Sequence, residues 1–210
     1  MARLAVANGI RESRVTPHLH VGQWDNDLWR IKAAVEAYRA ALAQAGIGLE
    51  VSFAAEVRLT YDVLPLIEEE RVPFLGAVGD DKVLLLELPH SHVPVGAEKF
   101  VAWLMARGIR PMIAHPERNK DVMRDGAKLL PFVREGCFLQ LTADALAGGF
   151  GERCAERAVE FLEQGWVTVI ASDAHDTESR PPRLKAGLEV ATRVLGAEAA
   201  QRLVAGLPKK

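Results

Sequence analysis

Short runs of apolar, largely β-branched residues alternate along this chain with longer stretches in which apolar residues recur every three or four positions. The first pattern predicts strands and the second predicts amphipathic helices. Strand-like runs cover residues 12–16, 49–55, 82–86, 110–114, 137–141 and 166–170. Helical spacing covers residues 1–8, 27–45, 62–71, 95–107, 128–134 and 152–164. Two C-terminal helices share residues 184–203, with a break near Gly196. Leu28, Ile31, Val35, Tyr38 and Leu42 show the helical period most clearly. Gly9, Gly46, Gly108 and Gly165 stand where helix stops are expected. Strand follows helix throughout, with no linker or repeat, so the expected class is α/β with a parallel sheet covered by helices.

The polar residues at the strand exits refine that picture. They are His18, Glu56, Glu87, His115, and Asp173 with His175. In a (β/α) barrel, reactive groups gather at the C-terminal ends of several strands, whereas an open sheet spreads them along a line. A barrel-like closure is therefore expected. Taken singly, each residue has a plainer reading: a strand-end histidine faces solvent, and Asp173 caps a turn. Taken together, carboxylates and imidazoles suit two or three divalent cations such as zinc, manganese or iron. Such a cluster lowers the pKa of a bound water and holds hydroxide for attack. Arg118 and Arg180 lie close in sequence to His115 and His175, and guanidinium forks match phosphate oxygens. Metal-assisted phosphate ester hydrolysis is the reaction class that follows. His20, His90 and His92 read as loop residues at the substrate entrance; Trp24 and Tyr61 either join them or pack in the core.

Composition narrows the class without changing it. The chain has 210 residues and a hydrophobic fraction of 49%, enough for one domain with a substantial core. A net charge of -2, with both signs mixed along the chain, gives no electrostatic case for nucleic acid. No apolar run approaches the about 20 residues that a membrane helix needs, and no signal peptide is expected at the start. Cys137 and Cys154 are the two cysteines, which favours a cytoplasmic location. A cysteine phosphatase needs Cys, five residues, then Arg; here Ala143 and Glu160 stand at those positions. No nucleophile elbow, P-loop or dinucleotide fingerprint occurs.

The motifs resemble the polymerase-and-histidinol-phosphatase (PHP) superfamily, and within it the bacterial protein-tyrosine phosphatases of capsule and exopolysaccharide gene clusters. The matching pieces are TPHLH from Thr16, AEVR from Ala55, LLLELP from Leu84, AHPERN from Ala114, GGFGERCAERA from Gly148, and SDAH followed by RPP from Arg180. The resemblance implies a distorted (β/α)7 barrel and a metal cluster, usually of manganese. It implies Glu56 as bridging ligand, Glu87 and His115 on one metal, His18 and His175 on another, and Asp173 on a third. Arg118 and Arg180 would grip the phosphoryl group, and Asp173 or His175 would supply a proton to the leaving oxygen. The implied partner is the phosphotyrosine tail of a bacterial tyrosine kinase; sugar phosphates and histidinol phosphate stay open as substrates. The family's opening D-x-H-x-H strand is not found in this sequence, and Leu19 stands where a further histidine is common. Three accounts of that departure stand side by side: a start site placed too far downstream, a short protein with a reduced metal site, or a relative that binds a kinase tail without cleaving it. Strand edges left raw at a barrel seam would favour a homo-oligomer.

Overall fold

The computed structural model describes residues 1–208. Its strands are β1 (Glu12–Val15), β2 (His18–Leu19), β3 (Glu50–Phe53), β4 (Glu56–Arg58), β5 (Gly76–Val78), β6 (Asp81–Glu87), β7 (Ile109–Ala114), β8 (Phe138–Thr142) and β9 (Val169–Ala171). The helices are α1 (Ala2–Ala7), α2 (Leu28–Gln44), α3 (Leu64–Glu68), α4 (Ala97–Met105), α5 (Lys120–Arg124), α6 (Leu130–Arg134), α7 (Ala143–Leu146), α8 (Glu152–Glu163), α9 (Lys185–Leu195) and α10 (Ala197–Leu203). The main sheet runs β2-β4-β6-β7-β8-β9, all parallel, with β5 added antiparallel to β6. β1 and β3 form a separate parallel pair. The architecture is thus mixed α/β with a mostly parallel sheet. β2 and β9 are its end strands, and the two do not pair with each other among the described residues, so the expected closure is absent there.

Two local features redraw the predicted strands. Pro17 lacks the N–H that a ladder needs, so the first strand stops and β2 starts afresh one residue later. The predicted run over residues 49–55 is β3 followed by a step to the other sheet at Ala54 and Ala55, both fully buried. Backbone bonds to Val15 and Pro73 carry that step. Glu56 therefore opens β4 instead of trailing a strand. The strand expected from Trp166 begins only at Val169; Trp166 instead stacks on Phe161, ring centroids 5.5 Å apart. β5, α5 and α7 fall where the apolar pattern predicts no element.

The two faces of β6 separate two cores. Val83 to Leu86 are all buried, as a strand covered on both sides should be. Leu84 and Leu86 join the large core under the helices, with Phe100, Leu104, Phe161 and Leu162. Val83 and Leu85 point the other way, into a small cluster with Ala54, Leu75, Met112 and Ala114. The helix layer approaches closely where α9 crosses α7: a Cβ on Gly187 would stand 2.4 Å from the carbonyl oxygen of Ala143. Among the described residues no helix is long and apolar enough to cross a membrane.

Candidate metal centre and phosphate site

Parallel register brings the ligand-type residues together at one rim. His18 lies beside Glu56, Arg58 beside Glu87, and Glu87 beside Ala114, the residue before His115. Glu56 is the shared group: His18 Nδ1 and His115 Nε2 each stand 3.3 Å from its Oε1. His115 Nε2 is also 3.9 Å from Glu87 Oε1, and Arg58 pairs with Glu87 Oε2 at 3.2 Å. Glu56, Glu87 and His115 are only 3%, 5% and 4% exposed. Two carboxylates buried this close are costly without positive charge beside them.

The protonation equilibria follow that crowding. Burial pushes the Glu56 carboxyl up, but hydrogen bonds from His115 and His18 outweigh it and hold the group below the usual carboxylate range. Glu87 moves the opposite way, raised by burial and then by the charge of Glu56. The bond to Glu56 raises His18. For His115, burial works downward and the Glu56 carboxylate overcomes it, leaving the imidazole raised.

The other side of the rim is built from β9 and the turn after β7. His115 and Asp173 both have left-handed backbone, at φ 33° and 48°. Side chains seldom adopt such angles, and where they do the surrounding structure must hold them. Glu117 helps hold the first: its fully buried carboxylate accepts from the Thr142 backbone N–H at 2.9 Å, tying the His115 turn to the end of β8. Asn119 works beside it, donating to the carbonyls of Pro89 and His92 at 2.6 and 2.9 Å. Asp173 accepts from the guanidinium groups of both Arg118 and Arg180. His175 Nδ1 donates to the Asp173 carbonyl at 3.0 Å, which places the proton there and leaves Nε2 open. The His175 ring lies 5.9 Å from that of His18, so the two sides meet.

His18, Glu56, Asp173 and His175 therefore share one opening, with His115 and Glu87 in contact behind Glu56 and both arginines behind Asp173. A cavity of about 660 Å³ runs from it, lined by His18, Glu56, Asp173 and His175 at the rim and by Met112 and Gln140 below. The donor set fits a borderline divalent cation: His18, Glu56 and Glu87 each offer one ligand atom, all within 4.8 Å of one another. Asp173 stands on the arginines instead of in that group. Trp24 is 52% exposed, and its ring centre lies 6.3 Å from that of His18; with His90 it borders a small cleft over Glu56 and Glu87. Tyr61 is 61% exposed and rests edge-on against Phe100. His92 pairs with Ser91 at the surface. Burial pushes both thiols, Cys137 and Cys154, up to about 12, as inert core residues.

Sequence reading passed over Arg58, although strand alternation from Glu56 puts it on the same face. It also passed over Glu117 and Asn119, inside the AHPERN motif. Nothing local signals that a charged side chain will be buried.

Comparison with known proteins bears on this geometry. The family model for capsular polysaccharide synthesis, CpsB/CapC, matches residues 1–210. The tyrosine-protein phosphatase YwqE of Bacillus subtilis (strain 168) is 32% identical over 198 residues, covering 94% of this chain and 77% of that protein. The tyrosine-protein phosphatase CpsB of Streptococcus pneumoniae is 26% identical over 207 residues, covering 96% of this chain and 84% of that protein. A solved structure from work on YwqE and CpsB as metal-dependent tyrosine phosphatases superposes with a TM-score of 0.87 at 29% identity. It takes in 100% of this chain and 87% of that one.

Proposed function

The chain belongs to the CpsB/CapC family of capsular polysaccharide synthesis, and from that premise we propose that it is a metal-dependent phosphatase of phosphotyrosine. One observation carries the reading: two buried carboxylates meet on the His115 imidazole, and His175, beside the aspartate that holds two arginines, lies against His18. His18, Glu56, Glu87 and His115 would hold divalent cations, two or three with manganese foremost, and Asp173 and His175 would contribute from the far rim. Such ions, when bound, activate water and offset charge on phosphoryl oxygens.

The chain's own groups do the rest. Arg118 and Arg180 bind the phosphoryl oxygens, and Asp173 keeps their guanidinium groups side by side. Glu56 and Glu87, set in buried strands, hold their positions without rearrangement. Trp24 offers an exposed aromatic face beside His18, where the ring of an aryl ester would lie. The open run of the sheet between β9 and β2 is read as the seam of a distorted (β/α)7 barrel, and the chain as one domain. The substrate in this reading is the phosphotyrosine tail of a bacterial tyrosine kinase that governs capsule assembly, met in the cytoplasm.

The test is phosphate release from a phosphotyrosyl peptide and from its phosphoseryl twin, with manganese and with a chelator. Release from the first peptide that the chelator abolishes and manganese restores is the expected result. A manganese-loaded protein that frees no phosphate from either peptide overturns the proposal.

A further inference from the structure

The GGFG segment from Gly148 is a motif that the metal and phosphate roles leave unused. It joins α7 to α8 and places Phe150 over the arginine pair. The centre of the Phe150 ring lies 4.5 Å from the Arg118 guanidinium carbon and 5.9 Å from that of Arg180. Both arginines also share Asp173, so one carboxylate and one ring face hold two cations together. The side chains are only 10% exposed for Arg118 and 27% for Arg180, which strengthens a cation–π contact over its value in water. The Nε–H of Arg180 is buried without a hydrogen-bond partner among the described residues, so Asp173 and the ring are what orient this guanidinium.

The backbone around Phe150 is shaped for this placement. Gly148 and Gly151 have φ of 88° and 92°, a region that side chains avoid. Between them Gly149 donates to the Asp144 carbonyl at 2.8 Å, and a Cβ there would stand 3.1 Å from that oxygen. A loop that folds back this sharply fixes its one large side chain against a chosen surface.

We infer that Phe150 is a positioning residue for phosphoryl binding, its ring face orienting Arg118 and Arg180 for an incoming tetrahedral anion. Two adjacent guanidinium groups repel each other and swing freely unless something sets their planes. Preset planes let each offer paired N–H groups to phosphate at less entropic cost. The inference rests on the reading of the two arginines as phosphate-binding groups.

Its test uses manganese-loaded protein and two readouts: the Kd of inorganic phosphate by calorimetry, and the split of kcat from KM with p-nitrophenyl phosphate. Phe150→Leu keeps an apolar side chain of similar size but removes the ring face; Phe150→Tyr keeps the face. Phe150→Leu should weaken phosphate binding and raise KM by about fivefold, the order a cation–π contact supplies. Its kcat should move less than twofold, with Tm and metal content unchanged, and Phe150→Tyr should match the wild type. A purely structural role would instead lower Tm and metal content. Phe150→Met is read in the same way should the leucine variant not fold. Wild-type phosphate binding that Phe150→Leu leaves untouched overturns this inference alone, as does a tyrosine variant as impaired as the leucine one. A wild type that binds no phosphate overturns the reading of the arginines as well.

Discussion

The two halves of the site are built differently. Glu56 and Glu87 stand on β4 and β6, and His115 directly follows β7; each of these strands has a neighbour on both sides. All three residues are within 5% of full burial. His18 and His175 stand on or just past the end strands β2 and β9, and their side chains are 37% and 39% exposed. Among these five residues depth follows position in the sheet; Asp173, also past β9, is the exception, its side chain 9% exposed beneath the two arginines. Central strands supply ligand-type groups already fixed by packing on both faces, with the His115 turn held in addition by Glu117. End strands supply ligand-type groups that are tied down one bond at a time. The His18 carbonyl accepts from Asn26 Nδ2 at 2.7 Å, and the His175 backbone N–H donates to the Arg180 carbonyl at 2.8 Å.

The largest consequence is expected in the central half. Glu56→Ala removes the acceptor shared by two histidines and leaves His115 buried beside a single carboxylate. Turnover of an aryl phosphate should fall on the order of 10³-fold, roughly 4 kcal/mol of transition-state stabilisation. Bound manganese, counted by elemental analysis, should fall with it. His175→Ala, at the exposed rim, should lose about 10- to 100-fold in activity. If the two variants lose activity equally, burial does not rank the ligands and the contrast between the halves fails.

A middle-sized effect is expected where the halves meet, at the arginines. Arg118→Ala and Arg180→Ala should each cost about 10²-fold in kcat/KM while retaining metal. The double variant should lose less than the product of the two, because both guanidinium groups are set by the same carboxylate. Fully multiplicative losses would mean that Asp173 does not couple them.

How much of this was readable from residues alone also divides along the sheet. β6 and β7 are continuous apolar runs whose exits are Glu87 and the residue before His115, so period and punctuation point straight at both. β2 is two residues long and offers no period at all; only the exit pattern singled out His18. Glu56 was found for a partly wrong reason, since it begins β4 and does not end β3. The step at Ala54 depends on Val15 and Pro73, and no local pattern carries partners that far away. The same limit hid Phe150, whose partners Arg118 and Arg180 lie about thirty residues off on either side. It also hid the open edge between β9 and β2, since pairing of distant strands is a property of the assembled sheet.

The smallest effect tests whether an end-strand ligand really depends on local ties. Asp27 closes the loop that carries Trp24 and Asn26, and its carboxylate caps α2 by accepting from the backbone N–H groups of Trp29 and Arg30 at 3.1 and 3.0 Å. It also pairs with Arg71 at 2.8 Å. Asp27→Ala should cost about 1 kcal/mol in urea unfolding, the usual worth of such a cap. Asp27→Asn should cost less, since asparagine caps as well and forfeits only a partly exposed ion pair. The pair with Arg71, then the bond from Arg30, hold this carboxyl below the ordinary aspartate range. A lowered folded value means that the stabilisation is fully present above the unfolded pKa of about 3.9 and fades as pH falls through the folded one. The alanine variant should therefore differ more from wild type at pH 7 than at pH 3. Because Asp27 acts on His18 only through its neighbour Asn26, which holds the His18 carbonyl, phosphatase activity at saturating manganese should fall by less than the change for His175→Ala. An Asp27→Ala protein that keeps its stability but loses as much activity as His175→Ala would show that the loop sets the metal site more directly than its packing suggests.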